Sequence, residues 1–365
     1  MKSELNLCLG VRYAVVLHGP EVIDTGLAKK VMDLLSDEGE VEAVMSGYTG
    51  VVAIVDAGLE EVVDISRMRK PSMELSRLNA TNDILLLVNC AKNRDSAVSF
   101  GRIVYSRCKD EVTKPLLQVD DGIVVDWNGR DRRMAVHLAL EMGLELLDVG
   151  ADASSAEVHD QARRVHGVIP GENVWIDGVV IGKATSSEVW LRKGPDGLLS
   201  ADGIQLKETG VNRLGRFDLQ KAHVRSGLTR RTKAVARAIC SKKEGVYLVD
   251  HSAEDAIYRC RDASLVVTVG DDTSKIAGNL LYRFNVPIVA ITDGDEDGIS
   301  LEELKTKGSV VIRVRAGTDD IVGREVRQEI FHGGTRMDGR ASPLRVANQV
   351  MRIAGDRLEW HKISR

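Results

Sequence analysis

The chain has 365 residues, 43% hydrophobic content and a formal net charge of −4, from 50 basic and 54 acidic side chains. That length and apolar content suffice for two or three domains with their own cores. The acidic balance offers no global field for nucleic acid, aromatic content of 4% argues against a stacking platform for single strands, and no apolar run approaches the ~20 residues of a membrane span.

Residues 1–150 alternate strand-like and helix-like segments. "RYAVVLHG" reads as a strand, and "GLAKKVMDLLSDEG" as an amphipathic helix with Leu27, Val31, Leu34 and Leu35 on one face. "VEAVMSG", "VVAIVDAG" and "DILLLVN" read as further strands. "FGRIVYSRC" starts a helix, "KPLLQVD" and "GIVVDWNG" are short strands, and "RMAVHLALEMGLELL" closes as a helix. Continuous apolar strands between helices imply a Rossmann-like α/β domain with a largely parallel sheet.

Residues 151–228 change character. Short β-type pieces, "GENVWIDGVVIGKA", "SEVWLRKG" and "GIQLKE", are separated by Gly, Pro and Asp turns. They predict a small β-rich module. "RRTKAVARAICSKKEG" then reads as a basic helix entering a third domain, residues 229–365, where the α/β rhythm returns. "GVYLVDH", "SLVVTVGD", "VPIVAIT" and "SVVIRVRAG" are its strands, and "SAEDAIYRC", "DTSKIAGNLLYRF" and "SLEELKTKG" its helices. Ser300 with Glu303 fits a capping box.

Three strand ends of this last domain are acidic. "YLVD" ends at Asp250, followed by His251; "VVTVG" is followed by Asp271 and Asp272; "VPIVAIT" is followed by "DGDEDG", with Asp293 and Asp295. Ligands of parallel sheets gather at the carboxyl ends of strands. Carboxylates collected there either take up protons or hold a hard cation, and Mg²⁺ fits because it needs only one or two carboxylates besides waters and phosphates. Solvated loop acids are the plainer alternative.

The order strand–acid, helix, strand–Gly, helix, strand–DxD, helix, strand over residues 244–325 resembles the Toprim domain of topoisomerases, primases and related nucleases. The resemblance implies that Asp250, Asp293 and Asp295 hold Mg²⁺ and that Asp250 and His251 stand at the catalytic position. The family has Glu then Gly where this chain has Asp250 and His251. Over its whole length the chain also resembles an uncharacterised archaeal family, typical of methanogens, whose opening has the form "LHGPEVIDTG".

Other loops could meet a phosphorylated ligand. His18, Gly19 and Glu21 stand between a strand and a helix, where a glycine lets backbone approach a phosphate and a helix start favours anions; Pro20 and Glu21 also suit ordinary helix-start roles. Lys92 follows a strong strand and could contact a phosphate or carboxylate. In "GDDTSKIAG", Asp271, Asp272, Thr273 and Lys275 resemble a nucleotide-type turn; Thr273 and Ser274 equally suit helix capping. The segment Arg225 to Lys243 is the one basic cluster, able to face nucleic acid or present a solvated helix face. Cys8, Cys90, Cys108, Cys240 and Cys260 form no CxxC pair, and the N-terminus lacks a signal-peptide layout. Both point to a reducing, cytoplasmic setting without structural zinc or membrane attachment. Two functions are expected: a Mg²⁺-dependent enzyme acting on phosphoryl groups of a nucleotide or nucleic acid, or a non-catalytic nucleotide- or cofactor-binding protein whose acidic loop is structural or regulatory.

Overall fold

The computed structural model describes residues 10–67, 69–148, 158–159, 162–177, 179–194, 197, 199–215, 217–219, 221–222, 224–227, 230–233, 235–239, 242–250, 256–294 and 304–364. The chain is a mixed α/β protein of two compact units, Met1–Ile54 with Leu59–Lys233, and Val55–Gly58 with Ala234–Arg365. Among the described residues no helix is long and apolar enough to cross a membrane.

The first unit opens with β1 (Val11–His18), α1 (Glu21–Asp24), α2 (Leu27–Ser36), β2 (Gly39–Ser46), α3 (Tyr48–Ala57), α4 (Pro71–Leu78), β3 (Ile84–Asn89), α5 (Arg94–Cys108), β4 (Leu116–Asp120), β5 (Ile123–Asp126), α6 (Arg132–Met142) and β6 (Glu145–Leu147). The strands form one sheet of order β2-β1-β3-β4-β5-β6. β1 is parallel to β2 and β3, and β3 to β4. The chain steps outward from β1 to β2, then returns past β1 to β3. The connections after β1 and β3 therefore leave in opposite senses, which makes the carboxyl ends between them the switch point at which open α/β sheets bind ligands.

The sheet is largely parallel, as expected: β1–β2, β1–β3, β3–β4 and β5–β6 pair parallel, and only β4–β5 is antiparallel, where Asp121 and Gly122, the latter at φ 83, turn the chain back. Two sequence expectations are corrected. "VVAIVDAG" is not a strand but most of α3, and its residues from Val51 to Val55 are all buried. An apolar run buried on every side carries no period to distinguish helix from strand, whereas a parallel crossover from β2 calls for a helix. The helix read through "GLELL" stops at Met142, because Gly143 takes a left-handed φ of 66 and its amide closes on Ala139 O and Leu140 O. The Leu144 amide still closes on Ala139 O at 2.8 Å, and Glu145–Leu147 pairs with β5.

The β-rich part contains β7 (Val158–His159), β8 (Ala162–Val165), β9 (Asn173–Ile176), β10 (Val179–Ala184), β11 (Val189–Lys193), β12 (Leu199–Asp202), β13 (Ile204–Leu206), α7 (Glu208–Arg213) and β14 (Val224–Ser226). Two four-stranded sheets result, β13-β10-β9-β14 and β12-β11-β8-β7. Val174, Ile176 and Ile181 of the first sheet share a core with Val165, Val189 and Leu191 of the second.

The second unit carries β15 (Val246–Asp250), α8 (Ala256–Cys260), β16 (Leu265–Val269), α9 (Asp271–Leu281), β17 (Ile288–Thr292), β18 (Val310–Val314), α10 (Asp319–Glu329), β19 (Arg336–Met337), α11 (Pro343–Ala354) and β20 (Leu358–Ile363). Its sheet has the order β19-β15-β16-β17-β18-β20. The four central strands are parallel and follow one another without reversal, and both edges are antiparallel. One face of β15–β18 packs Leu248, Val267, Ile291 and Ile312 onto Val322 and Val326 of α10 and Val346 and Val350 of α11. The helix expected over "SLEELKTKG" is not seen in its described part, where Leu304–Gly308 is irregular; Ser300 and Glu303 lie outside the described residues.

Candidate functional site

At the carboxyl edge of the first sheet, β1, β3 and β4 end in His18, Asn89 and Asp120. His18 and Asn89 are register partners on adjacent strands. His18 Nδ1 lies 3.1 Å from Asn89 Oδ1, and Asn89 Nδ2 donates to Asp120 Oδ2 at 2.9 Å. Gln118 Nε2 donates to the same oxygen at 3.1 Å. Asp120 Oδ1 accepts from the amides of Ala91 at 2.7 Å and Asp121 at 2.9 Å. Only 1% of Asp120 is exposed. Burial holds its carboxyl above the ordinary range, against the lowering effect of the four N–H donors. The His18 ring stacks on Phe100, with centroids 4.4 Å apart and planes 26° from parallel.

The loops around this edge are held by ion pairs. Gly19, at φ 79, turns the chain from β1 toward α1. Glu21, expected as a ligand residue or helix start, is buried at the head of α1 and accepts from the Arg231 amide at 2.6 Å. Arg231 Nε stands 3.4 Å from the same carboxylate, and its Nη2 donates to Cys90 O at 2.9 Å. Arg230 grips Asp24 with Nε and Nη2 at 2.7 and 2.6 Å, and the Thr232 hydroxyl bonds Asp24 as well. Lys92 meets a carboxylate, one of the two contacts its position suggested: Nζ is 2.5 Å from Glu172 Oε2 and 2.8 Å from Ser226 Oγ. It thereby holds the β-rich part against the loop after β3.

The basic helix expected over "RRTKAVARAICSKKEG" is absent among its described residues, which are irregular. Its charges serve separate internal contacts instead of one face. Arg230 and Arg231 pair with Asp24 and Glu21, and Lys243 Nζ donates to Phe284 O at 2.7 Å and Asn285 O at 2.6 Å.

In the second unit, Asp250, Asp271 and Asp293 stand at the carboxyl edge of one sheet. β16 lies between β15 and β17, so Asp250 and Asp293 belong to strands about 9–10 Å apart. Asp250 is level with Val269, and Val269 with Ile291, so Asp293 sits two residues farther along. Asp250 is exposed. Asp293 is 4% exposed, and its Oδ2 accepts from the Gly317 amide at 2.6 Å. Asp271 is also buried. His251, Asp295 and the side chain of Asp272 lie outside the described residues. Among the described residues no three His, Cys, Asp or Glu side chains gather closely enough to hold a metal ion.

α9 begins directly at Asp271, with Gly270 as its N-cap and no side-chain cap. Thr273 and Ser274 are therefore inside the first turn rather than capping it. Ser274 Oγ donates to Gly270 O at 2.7 Å and lies 2.6 Å from Thr268 Oγ1. Lys275 follows, half-buried.

Asn89, Gln118, Asp120 and the Arg230–Asp24 pair were not singled out from sequence. The available signal was the placing of polar residues within or at the ends of largely apolar runs, "LLLVN" and "LLQVD", the same kind of signal that drew attention to the acids of the second unit.

A family described as "Uncharacterized protein conserved in archaea (DUF2117)" matches residues 15–334. The chain belongs to this family. It is 36% identical over 335 residues to "Uncharacterized protein MJ0065" of Methanocaldococcus jannaschii, covering 88% of this chain and 92% of that protein. The family descriptions match the archaeal, methanogen-type resemblance of the "LHGPEVIDTG" opening. No solved structure shows a significant match to the chain.

Proposed function

We propose that the first unit binds a nucleotide or similar phosphorylated small molecule in the crevice between the carboxyl ends of β1 and β3. The observation that carries this reading is the His18–Asn89 bridge across the point where the strand order reverses, the place where open α/β sheets bind ligands. Gly19 and Gly47, at φ 79 and 96, keep two of the surrounding turns free of side chains. The Arg231 side chain, 37% exposed, offers a planar guanidinium suited to phosphate or carboxylate. Isothermal titration with ATP, GTP, NAD and flavin mononucleotide at fixed salt tests it. At least one should bind, and His18→Ala and Arg231→Ala should each weaken that binding tenfold or more, about 1.4 kcal/mol, with unchanged circular dichroism. No binding by any of the four at millimolar concentration overturns the reading.

A second reading is favoured by a separate observation, the gathering of Asp250, Asp271 and Asp293 at one sheet edge. In it a Toprim-like site of Asp250, Asp293 and Asp295 holds Mg²⁺, with His251 beside it, and acts on phosphoryl groups of a nucleotide or nucleic acid. Metal binding only the folded state would stabilise it by about 2.7 kcal/mol at a hundredfold excess over the dissociation constant. Thermal melts in EDTA and in millimolar Mg²⁺ should then show a gain in the parent and little in Asp295→Asn. No gain in the parent, or an equal gain in both, removes this reading.

A further inference from the structure

β20 is an edge strand of the second unit's sheet, and among the described residues no strand lies beyond it. On its neighbour β18 every residue is buried except Arg313, which is half-buried. β20 pairs with β18 along its length, yet Glu359, Trp360, His361, Lys362 and Ile363 are all exposed, on both faces of the strand. Trp360 is 40% exposed and Ile363 41%. Of β20, Leu358 joins the core beneath α10 and α11.

The hydrogen bonds to β18 show which backbone groups of β20 face outward. Ser364, just past the strand, donates its amide to Ser309 O at 2.8 Å and accepts from the Gly308 amide at 3.0 Å. Alternate residues of an antiparallel strand turn their N–H and C=O the same way, so Lys362 and Trp360 also face β18. His361 and Ile363 turn theirs away from the sheet. An outward row of this kind is a template for another strand. The one irregularity of β20 falls between the pairs Arg313–Trp360 and Val314–Leu358, and Trp360–Ile363 is left regular.

The residues of β20 complement themselves. Two antiparallel copies related by a twofold axis present the same patch to each other, and opposite residues share a face of the joined sheet. With the axis at His361, its outward N–H and C=O form the hydrogen-bonded pair. Trp360 of each copy then stands opposite Lys362 of the other, at the close, non-hydrogen-bonded positions. An ammonium over an indole face is attracted to it. Within the chain Lys362 Nζ already lies 5.7 Å from the Trp360 ring centroid, so both side chains occupy one face. An axis at Lys362 would oppose two ammonium groups. An axis at Trp360 would need Glu359, which the irregularity takes out of register.

We propose that β20 is the docking edge for a second copy of this chain, pairing antiparallel about His361 so that the two sheets become one. The contact is short, and the dimer is therefore a weak one that forms with rising concentration.

Sedimentation velocity on the full chain, over a series of concentrations reaching the high micromolar, tests it. The parent should pass from monomer toward dimer. Lys362→Glu, which sets carboxylates against the indole faces, should weaken the dimer about tenfold. Trp360→Lys combined with Lys362→Glu restores opposite charges across the axis and should recover most of that loss. His361→Pro removes an outward amide, a change that edge strands tolerate, and should abolish pairing with unchanged circular dichroism; if that variant does not fold, Lys362→Glu decides. Site-resolved hydrogen exchange supplies a readout without substitution: the His361 amide should slow as concentration rises, whereas the Lys362 amide, which faces β18, should not change. A monomer throughout, a dimer unmoved by Lys362→Glu, or a His361 amide indifferent to concentration overturns the proposal. A double variant as weak as Lys362→Glu alone overturns the register about His361.

Discussion

At the carboxyl edge of the first parallel sheet, the strand-end side chains His18, Asn89 and Asp120 bond to one another. At the same edge of the second, Asp293 bonds to the backbone amide of Gly317, and Asp250 stands exposed at the last residue of β15. The difference follows from strand order. In the first sheet β1 and β3 are neighbours although β2 comes between them in sequence, so their loops leave in opposite directions, while Asn89 and Asp120 at the strand ends are buried. Polar groups placed there must satisfy one another or meet a ligand. In the second sheet β15, β16, β17 and β18 are neighbours in chain order, each connection leaves in the same sense, and no reversal makes a switch point. Of the acids at that edge, Asp293 is met by the Gly317 amide, Asp271 is buried and Asp250 is exposed. Two sheets with similar strands thus offer different chemistry because of the order in which the strands are laid down.

The sharpest way to break this comparison is to remove one carboxylate from each edge. Asp120→Ala leaves four N–H groups without their acceptor in a buried site and should destabilise the first unit by about 3 kcal/mol. Asp293→Ala removes the acceptor of the Gly317 amide and should cost the second unit less, about 1 kcal/mol. Hydrogen exchange of β3 amides against β16 amides reads the two separately. Equal losses would mean that the network at the first edge is no more cooperative than a single bond.

A smaller effect is expected at glycines packed into each sheet. At Gly101 of α5 an added Cβ would overlap the Gln118 amide and the Trp127 ring. At Gly323 of α10 it would sit 2.8 Å from the Val269 methyls. Crowding costs about 1–3 kcal/mol against a gain of up to ~1 kcal/mol from replacing a helical glycine. Gly101→Ala should be the worse of the two, since it displaces an oriented hydrogen bond and not only methyl groups. It should also loosen the hydrogen bonds from Trp127 to Gln118 and from Gln118 to Asp120, which Gly323→Ala should leave unchanged. The reverse order of the two losses would show that methyl crowding outweighs the polar chain.

The smallest effect concerns the helices that follow the inner strands. α5 is capped by Asn93, whose Oδ1 accepts from the Ser96 amide at 2.9 Å, whereas α9 has no side-chain cap. Asn93→Ala should lower the stability of the first unit by about 1 kcal/mol, seen as faster exchange in the first turn of α5. No change there would place the two helix starts on an equal footing.

Read alone, the sequence identifies the largely apolar strands, among them β1, β3, β16 and β17, and the shift to a β-rich middle. Both are local properties, since composition and short-range pattern suffice to show them. It also marks strand ends as the places where polar residues collect, including His18, Asp250 and Asp293. It does not tell α3 from a strand, because burial on all sides erases the period, nor does it show that the arginines after Ser226 are paired with Asp24 and Glu21 some two hundred residues away. Strand order lies beyond it as well. His18 and Asn89 are 71 residues apart and Asn89 and Asp120 are 31, and they meet because β1, β3 and β4 pair as neighbours. That pairing is settled by packing over the whole sheet, which no short window of residues encodes.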